Sequence, residues 1–191
     1  KITSMQMHYS NREFNSSSSY ISKSNIDGFN MILPMRTYKG SLAVSAGLNN
    51  YADFLLADNR NNASISEDGG LTSYHAGASV EFAEGLFIGA DIKFINGEDK
   101  MYELYPDSTH LYRPKYNGTS FTFGMLHRYS QIFQYGISID LPYSLDVSDK
   151  YTYSNQIDPD ESFSDTWYYT VKKPVNFHMG GALFFKTINL F

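Results

Sequence analysis

The sequence contains no cysteine. That excludes a disulfide scaffold, a thiol nucleophile and thiolate metal sites. Tryptophan is nearly absent, at one residue in 191. No apolar run reaches the roughly 18 residues that mark a membrane-crossing helix. Basic charge is in deficit, with 15 Lys and Arg against 20 Asp and Glu and a net charge of -5, so there is no electrostatic footprint for nucleic acid. No Gly-x-Ser-x-Gly elbow, phosphate loop or dinucleotide fingerprint occurs. No signal peptide is visible, and the opening residues already read as the middle of a strand. The chain is therefore expected to be a piece of a larger protein.

What the sequence has is aromatic side chains, 16 Tyr and 14 Phe, at a mean hydropathy of only -0.36. Abundant aromatics with low mean hydropathy fit an alternating β-protein in which one face of each strand is apolar. Period-two alternation predicts strands at about Ile2–Tyr9, Tyr20–Met35, Ser41–Asp53, Leu71–Phe82, Leu86–Ile95, Tyr116–Leu126, Ile132–Val147 and Thr166–Phe185, with a ninth starting at Ile188. The connections alternate in length. Short ones fall at 36–40, 83–85, 127–131 and 186–187, and long ones at 10–19, 54–70, 96–114 and 148–165. Tight turns at one end and long loops at the other are the layout of an up-and-down transmembrane barrel.

The stretch "SVEFAEGLFIGADIKF", residues 79–94, allows a register test. A three-residue link, Ala83-Glu84-Gly85, sets Phe82 opposite Leu86, Val80 opposite Ile88, Ala78 opposite Ala90 and Tyr74 opposite Phe94. That face is wholly apolar, and Gly85 falls where a left-handed residue is needed. The other face pairs Ser79 with Gly89, Gly77 with Asp91 and His75 with Lys93. In the preceding hairpin the same reasoning pairs Leu33 with Leu42, Met31 with Val44 and Phe29 with Ala46. Phe121, Phe123 and Met125 share a face with Tyr135, Ile137, Ile139 and Leu141. The polar faces are rich in Gly, Ala and Ser, a weak choice for a wet strand surface and a good one for a crowded barrel interior. The apolar band from 74 to 82 has the length of a tilted membrane-crossing strand. Aromatics flank such bands, Tyr51, Phe54, Tyr74, Phe94 and Tyr116 on one side and Tyr38, Phe82, Tyr129, Phe133 and Phe185 on the other.

Three segments, "GFNMILPMRTYKGSLAVSAGLNNYADF", "YGISIDLPYSLDVSDKY" and "YYTVKKPVNFHMGGALFFKTINL", resemble the FadL-type family of outer-membrane transporters for hydrophobic compounds. The resemblance runs from about residue 24 to 191. It implies a barrel of about 14 strands with an N-terminal plug, of which this chain supplies about nine. It also implies passive uptake of long-chain fatty acids or hydrocarbons, a cell outer membrane location, and contact with lipid and lipopolysaccharide. It implies no catalysis and no cofactor. The expectation is thus a single, incomplete barrel domain over 1–191, without the N-terminal plug and the remaining strands, acting as a monomer. Two readings of the residues stay open beside it: a structural or adhesive barrel working through its long loops, and a soluble β-sandwich that binds a ligand.

The five histidines, His8, His75, His110, His127 and His178, show no metal spacing. His75 opposite Lys93 reads as a polar pair facing the barrel interior. The acidic run Asp158, Asp160 and Glu161, with Asp165, lacks the spacing of a calcium loop and reads as solvated loop. Asn15, Asn62 and Asn117 open glycosylation-type triplets that carry no weight in a bacterial barrel. Phe191 is not expected to be a barrel-terminal Phe, since Asn189 and Thr187 precede it on the same face. No catalytic or metal-binding residue is predicted, and the position of the substrate pocket is left unassigned.

Overall fold

The computed structural model describes residues 4–15, 20–37, 40–60 and 63–184. They form one antiparallel sheet of ten strands: β1 (Ser4–Asn15), β2 (Tyr20–Arg36), β3 (Ser41–Arg60), β4 (Ala63–Ala83), β5 (Leu86–Leu104), β6 (Ser108–Arg128), β7 (Phe133–Asp140), β8 (Tyr143–Asn155), β9 (Phe163–Lys173) and β10 (Asn176–Leu183). β1 to β6 are a meander in chain order. β6 is then shared, its 122–128 half pairing with β7 and its 108–118 half with β8. β9 lies beside β8, and β10 beside β7.

The expected seventh and eighth strands are therefore each two strands. The breaks fall at Leu141-Pro142 and Pro174-Val175, where a proline removes a ladder donor. The segments expected as long loops, 54–70, 96–114 and 148–165, are a second correction. Most of each is strand, and the tips reduce to Tyr105–Asp107 between β5 and β6 and 156–162 between β8 and β9. Polar side chains do not stop a ladder when a neighbouring strand supplies its hydrogen bonds. β4 alone has 21 residues, about 70 Å of extended chain. The expected ninth strand at Ile188 lies outside the described residues.

The β4–β5 hairpin has the expected register from Val80 opposite Ile88 up to Tyr74 opposite Phe94. Only its turn differs. Ala83 pairs with Leu86 around Glu84-Gly85, and Phe82 is bulged out of the ladder rather than paired with Leu86. Gly85 has φ 73°, and Glu81 Oε1 accepts the Gly85 N–H at 3.2 Å. Glu81 Oε2 accepts from Ser41 Oγ at 3.0 Å, tying this turn to the foot of β3. The β2–β3 register is two residues from expectation. Leu33 faces Val44, Met31 faces Ala46 and Phe29 faces Leu48, so every side chain keeps its face.

The sheet curls about one face. On that side, contacts jump over intervening strands: His75 of β4 reaches Asn30 of β2, Lys93 of β5 reaches Asp140 of β7, and the Tyr51 hydroxyl of β3 meets the Tyr143 hydroxyl of β8. In the lower half the convex face is apolar and exposed, with Tyr74, Val80, Phe94, Phe121, Phe123 and Ile137. The lower concave face carries Ser45, Gly77, Ser79, Gly89, Thr122 and Ser138, which the register places together.

Above the level of Tyr74 and Phe94 both faces change character. The concave side becomes apolar, with Leu71, Ile95, Leu145 and Val147 buried, and Phe54, Tyr116 and Val171 packed against that cluster. The convex side becomes polar, with Asp68, Asn96, Lys115, Asn117, Ser144 and Asp146. The strands reach this inversion by two routes. β4, β5 and β6 run through it without a bulge at that level, and their apolar residues switch from one parity to the other, as from Phe94 to Ile95. In β3 and along β7–β8 and β10–β9 the apolar parity is unbroken. There the bulge at Tyr51 and the breaks at Pro142 and Pro174 rotate it from the convex to the concave side.

Candidate binding site

The concave face forms a trough on two levels. The lower level is a groove of about 820 Å³. Its width follows from small residues at close approaches. A Cβ on Gly77 would lie 2.7 Å from Asp91 Oδ1, and one on Gly47 would lie 2.7 Å from His75 Nε2 and collide with the Phe29 carbonyl. These glycines make the room that the longer polar side chains occupy.

Those side chains form a belt across the trough. Asn30 Nδ2 donates to Asn49 Oδ1 at 3.0 Å, and Asn30 Oδ1 lies 2.5 Å from His75 Nε2. His75 Nδ1 lies 3.1 Å from Asp91 Oδ1. Lys93 Nζ is 3.5 Å from Asp140 Oδ1, Thr122 donates to the same oxygen, and His178 Nε2 is 3.1 Å from Asp140 Oδ2. His75 does sit opposite Lys93 in the ladder, as the sequence predicts. Their side chains diverge, however, and each pairs with a carboxylate instead, His75 with Asp91 and Lys93 with Asp140. The belt includes both His75 and His178, the ladder placing His178 level with Ser79, four residues below His75. Each charged member has a partner there.

The upper level is an apolar chamber above the belt. Ile95 is 1% exposed and Leu145 2%. The Tyr51–Tyr143 bridge crosses the trough beside them. Further up, the concave face becomes aromatic. Tyr151 stacks on Trp167 with centroids 5.8 Å apart, and Tyr112 lies 4.9 Å from Tyr151. His110 packs edge-on against Tyr105 and Tyr153, and its Nδ1 is 2.8 Å from the Tyr151 hydroxyl.

Two carboxyl groups sit in this upper wall. Asp99 is 8% exposed, and the Oδ1 atoms of Asp99 and Asp149 are both buried without a hydrogen-bond partner. Burial, and then the neighbouring Glu67 carboxyl, pushes Asp99 up to about 7. Burial alone raises Asp149. Tyr116, between them on β6, is pushed up to about 12, first by burial and then by Tyr169, Asp99, Asp149 and Glu67.

The other predicted candidates are dispersed. Asp158 accepts the Asp160 N–H at 3.1 Å and caps the 3-10 turn Pro159–Glu161, while Glu161 accepts from Asn155 at 2.8 Å. Asp165 lies on β9 opposite Tyr151. His127 pairs with the Tyr135 hydroxyl at 3.0 Å near the lower turns. Asn117 is exposed on the convex side. The side chains of His8 and Asn15, and residues Asn62 and Phe191, lie outside the described residues. Sequence reasoning missed the upper chamber. Its signal was present, as the change of apolar parity between Tyr74 and Leu71, Phe94 and Ile95, and Phe121 and Tyr116.

No family model and no curated protein matches the chain.

Proposed function

We propose that the sheet is part of a transmembrane β-barrel of the outer membrane, and that it admits hydrophobic small molecules, such as long-chain fatty acids or hydrocarbons, by passive passage. The observation that carries this reading is the polarity inversion. A convex face that is apolar over nine residues and then polar for the rest of a 21-residue strand fits two external solvents, hydrocarbon below and water above. Nine residues tilted as barrel strands are tilted span about 23 Å, close to the height of an outer-membrane apolar band. A soluble sandwich would keep one face apolar along its whole length, because a single core lies on that side.

The concave face then has the matching sequence of environments. An apolar molecule arriving from the water side meets the chamber around Leu71, Ile95 and Leu145, where burial of its surface holds it. Below lies the groove lined by small residues, crossed by the polar belt. Affinity comes from apolar burial with a few polar anchors, and no bond is made or broken. The remaining strands of the barrel wall close the trough.

Uptake tests the reading directly. A strain lacking the gene should take up labelled long-chain fatty acid or alkane more slowly than its parent and recover on complementation. Unchanged uptake of both probes would overturn it in favour of a barrel acting through its tall hairpins.

A further inference from the structure

From Leu145 and Val171 upward, lysine and arginine side chains of β4, β5, β6, β8 and β9 lie on the convex face alone, while acidic ones lie on both faces. The register places Glu67, Asp99, Glu103, Asp149 and Asp165 on the concave side of β4, β5, β8 and β9. Lys100 of β5, Arg113 and Lys115 of β6 and Lys150 of β8 are on the convex side. Two of these convex cations share a convex carboxylate: Glu98 pairs with Lys100 at 2.7 Å and with Arg113 at 3.3 Å. From Leu145 and Val171 upward, the concave face of β4, β5, β6, β8 and β9 holds no lysine or arginine among the described residues, Lys173 opposite Tyr143 lying one step below, and its one imidazole, His110, is engaged by the Tyr151 hydroxyl.

This acidic wall is also the aromatic one. Asp149 faces Trp167 across the β8–β9 ladder, and Tyr151, next on the same face, stacks on Trp167. Tyr116 and Tyr169 lie one step below. Asp99, more than nine-tenths buried, and Asp149 each present an oxygen with no hydrogen-bond partner. Carboxylates without cations, set among ring faces, are the elements that recognise a substituted ammonium group, whose charge is diffuse and whose surface is apolar. A bare metal ion does not fit. It needs several oxygens within about 2.6 Å, and among the described residues no three acidic or histidine side chains are grouped to hold one.

We propose that this vestibule binds organic cations, a substituted ammonium group lying against Trp167 and Tyr116 between Asp99 and Asp149, with any apolar tail extending into the chamber of Leu71, Ile95 and Leu145. The inference rests on the passage reading above and narrows it, adding amphiphilic amines to the compounds admitted.

Trp167 is the single tryptophan of the sequence, so its fluorescence reports this wall alone. The folded chain in non-ionic detergent is titrated with benzyltrimethylammonium and, separately, with its uncharged isostere neopentylbenzene. Saturable quenching by the cation is expected, with the isostere binding about tenfold more weakly. The titration is run at about pH 8.5, where Asp99 is ionised; there Asp149→Asn and Asp99→Asn keep the shape and remove a buried charge, so both should fold. Each should weaken the cation about tenfold and leave the isostere unchanged. Equal affinity for the two probes, or cation binding unaltered in both variants, overturns the proposal. Either result leaves hydrophobic passage standing if alkane uptake persists. Lost uptake with intact cation binding would do the reverse.

Discussion

Replacing Ala78 by arginine puts a guanidinium in the middle of the convex apolar band. Ala78 is the fifth of the nine residues 74–82, so about 13 Å of strand separates it from either end. Its neighbours on that face, Val80, Ile88 and Phe123, offer no carboxylate. If the band lies in hydrocarbon, the charge sits near the midplane and cannot easily reach water. The expected cost is about 2–4 kcal/mol, and it should fall to about 0–1 kcal/mol for arginine at the band's edge. Asn96→Arg is the control. It lies on the convex side just above the inversion, where water is expected, and should change stability by less than about 0.5 kcal/mol. Urea titration of the protein folded into lipid vesicles measures both. If the convex face met water throughout, the exposed Ala78 would accept arginine as readily as Asn96 does. Equal effects at the two positions, within about 0.5 kcal/mol, would refute the reasoning.

Three further outcomes are expected. Ile95→Ala, in the buried chamber, should cost about 2–5 kcal/mol by denaturant titration, an amount set by lost apolar burial and the cavity left behind. Gly97→Ala should cost about 1–3 kcal/mol, since its Cβ would collide with the Gly70 carbonyl and lie 2.8 Å from the Leu71 Cα, and backbone cannot swing aside. Asp99 links stability to pH. Its folded carboxyl holds its proton up to about pH 7 against an ordinary 3.8, so the folded state binds more protons between those values. That contribution is fully present below about pH 4 and is lost as pH rises to about 7; Asp99→Asn should flatten this part of the urea-midpoint profile, and an unchanged slope would count against the buried carboxyl.

The parts of the fold legible in the sequence were those where turn chemistry and face pattern agree. Gly85, with the apolar alternation on both sides of it, specifies the β4–β5 register from Val80 opposite Ile88 upward. The β2–β3 register missed by two residues because "RTYKG" contains no equally decisive turn signal, yet parity survived, since a two-residue slip leaves each side chain on its face. The tall hairpins were not legible as strands. Segments such as "NGEDKMYEL" are polar on the side that continues the apolar band, so they break the pattern on which a strand assignment depends. The same break hid the upper chamber and vestibule. Once the faces are allowed to exchange roles, Ile95, Asp99 and Met101 fall on one side, and the alternation resumes. Pro142 and Pro174 were read as strand-interior residues, but in space they mark where the apolar parity turns from convex to concave. The lower belt was half legible: His75 was placed on the correct face, while its partners come from β2 and β5, which ladder reasoning with Lys93 alone could not find.

The absence of cysteine makes the central claim open to a clean scan. Single cysteines placed one at a time at the convex positions of β4, from Ser66 through Thr72 and Tyr74 to Val80, can each carry a nitroxide in the protein reconstituted into lipid bilayers. Collision rates with oxygen, which concentrates in hydrocarbon, and with a water-soluble nickel chelate then give the solvent at each site. The polarity inversion predicts oxygen-dominated collisions from Val80 to Ala76 and a crossover between Tyr74 and Thr72, with chelate-dominated collisions above it. Chelate access at every position, without a crossover, would contradict a membrane-facing band.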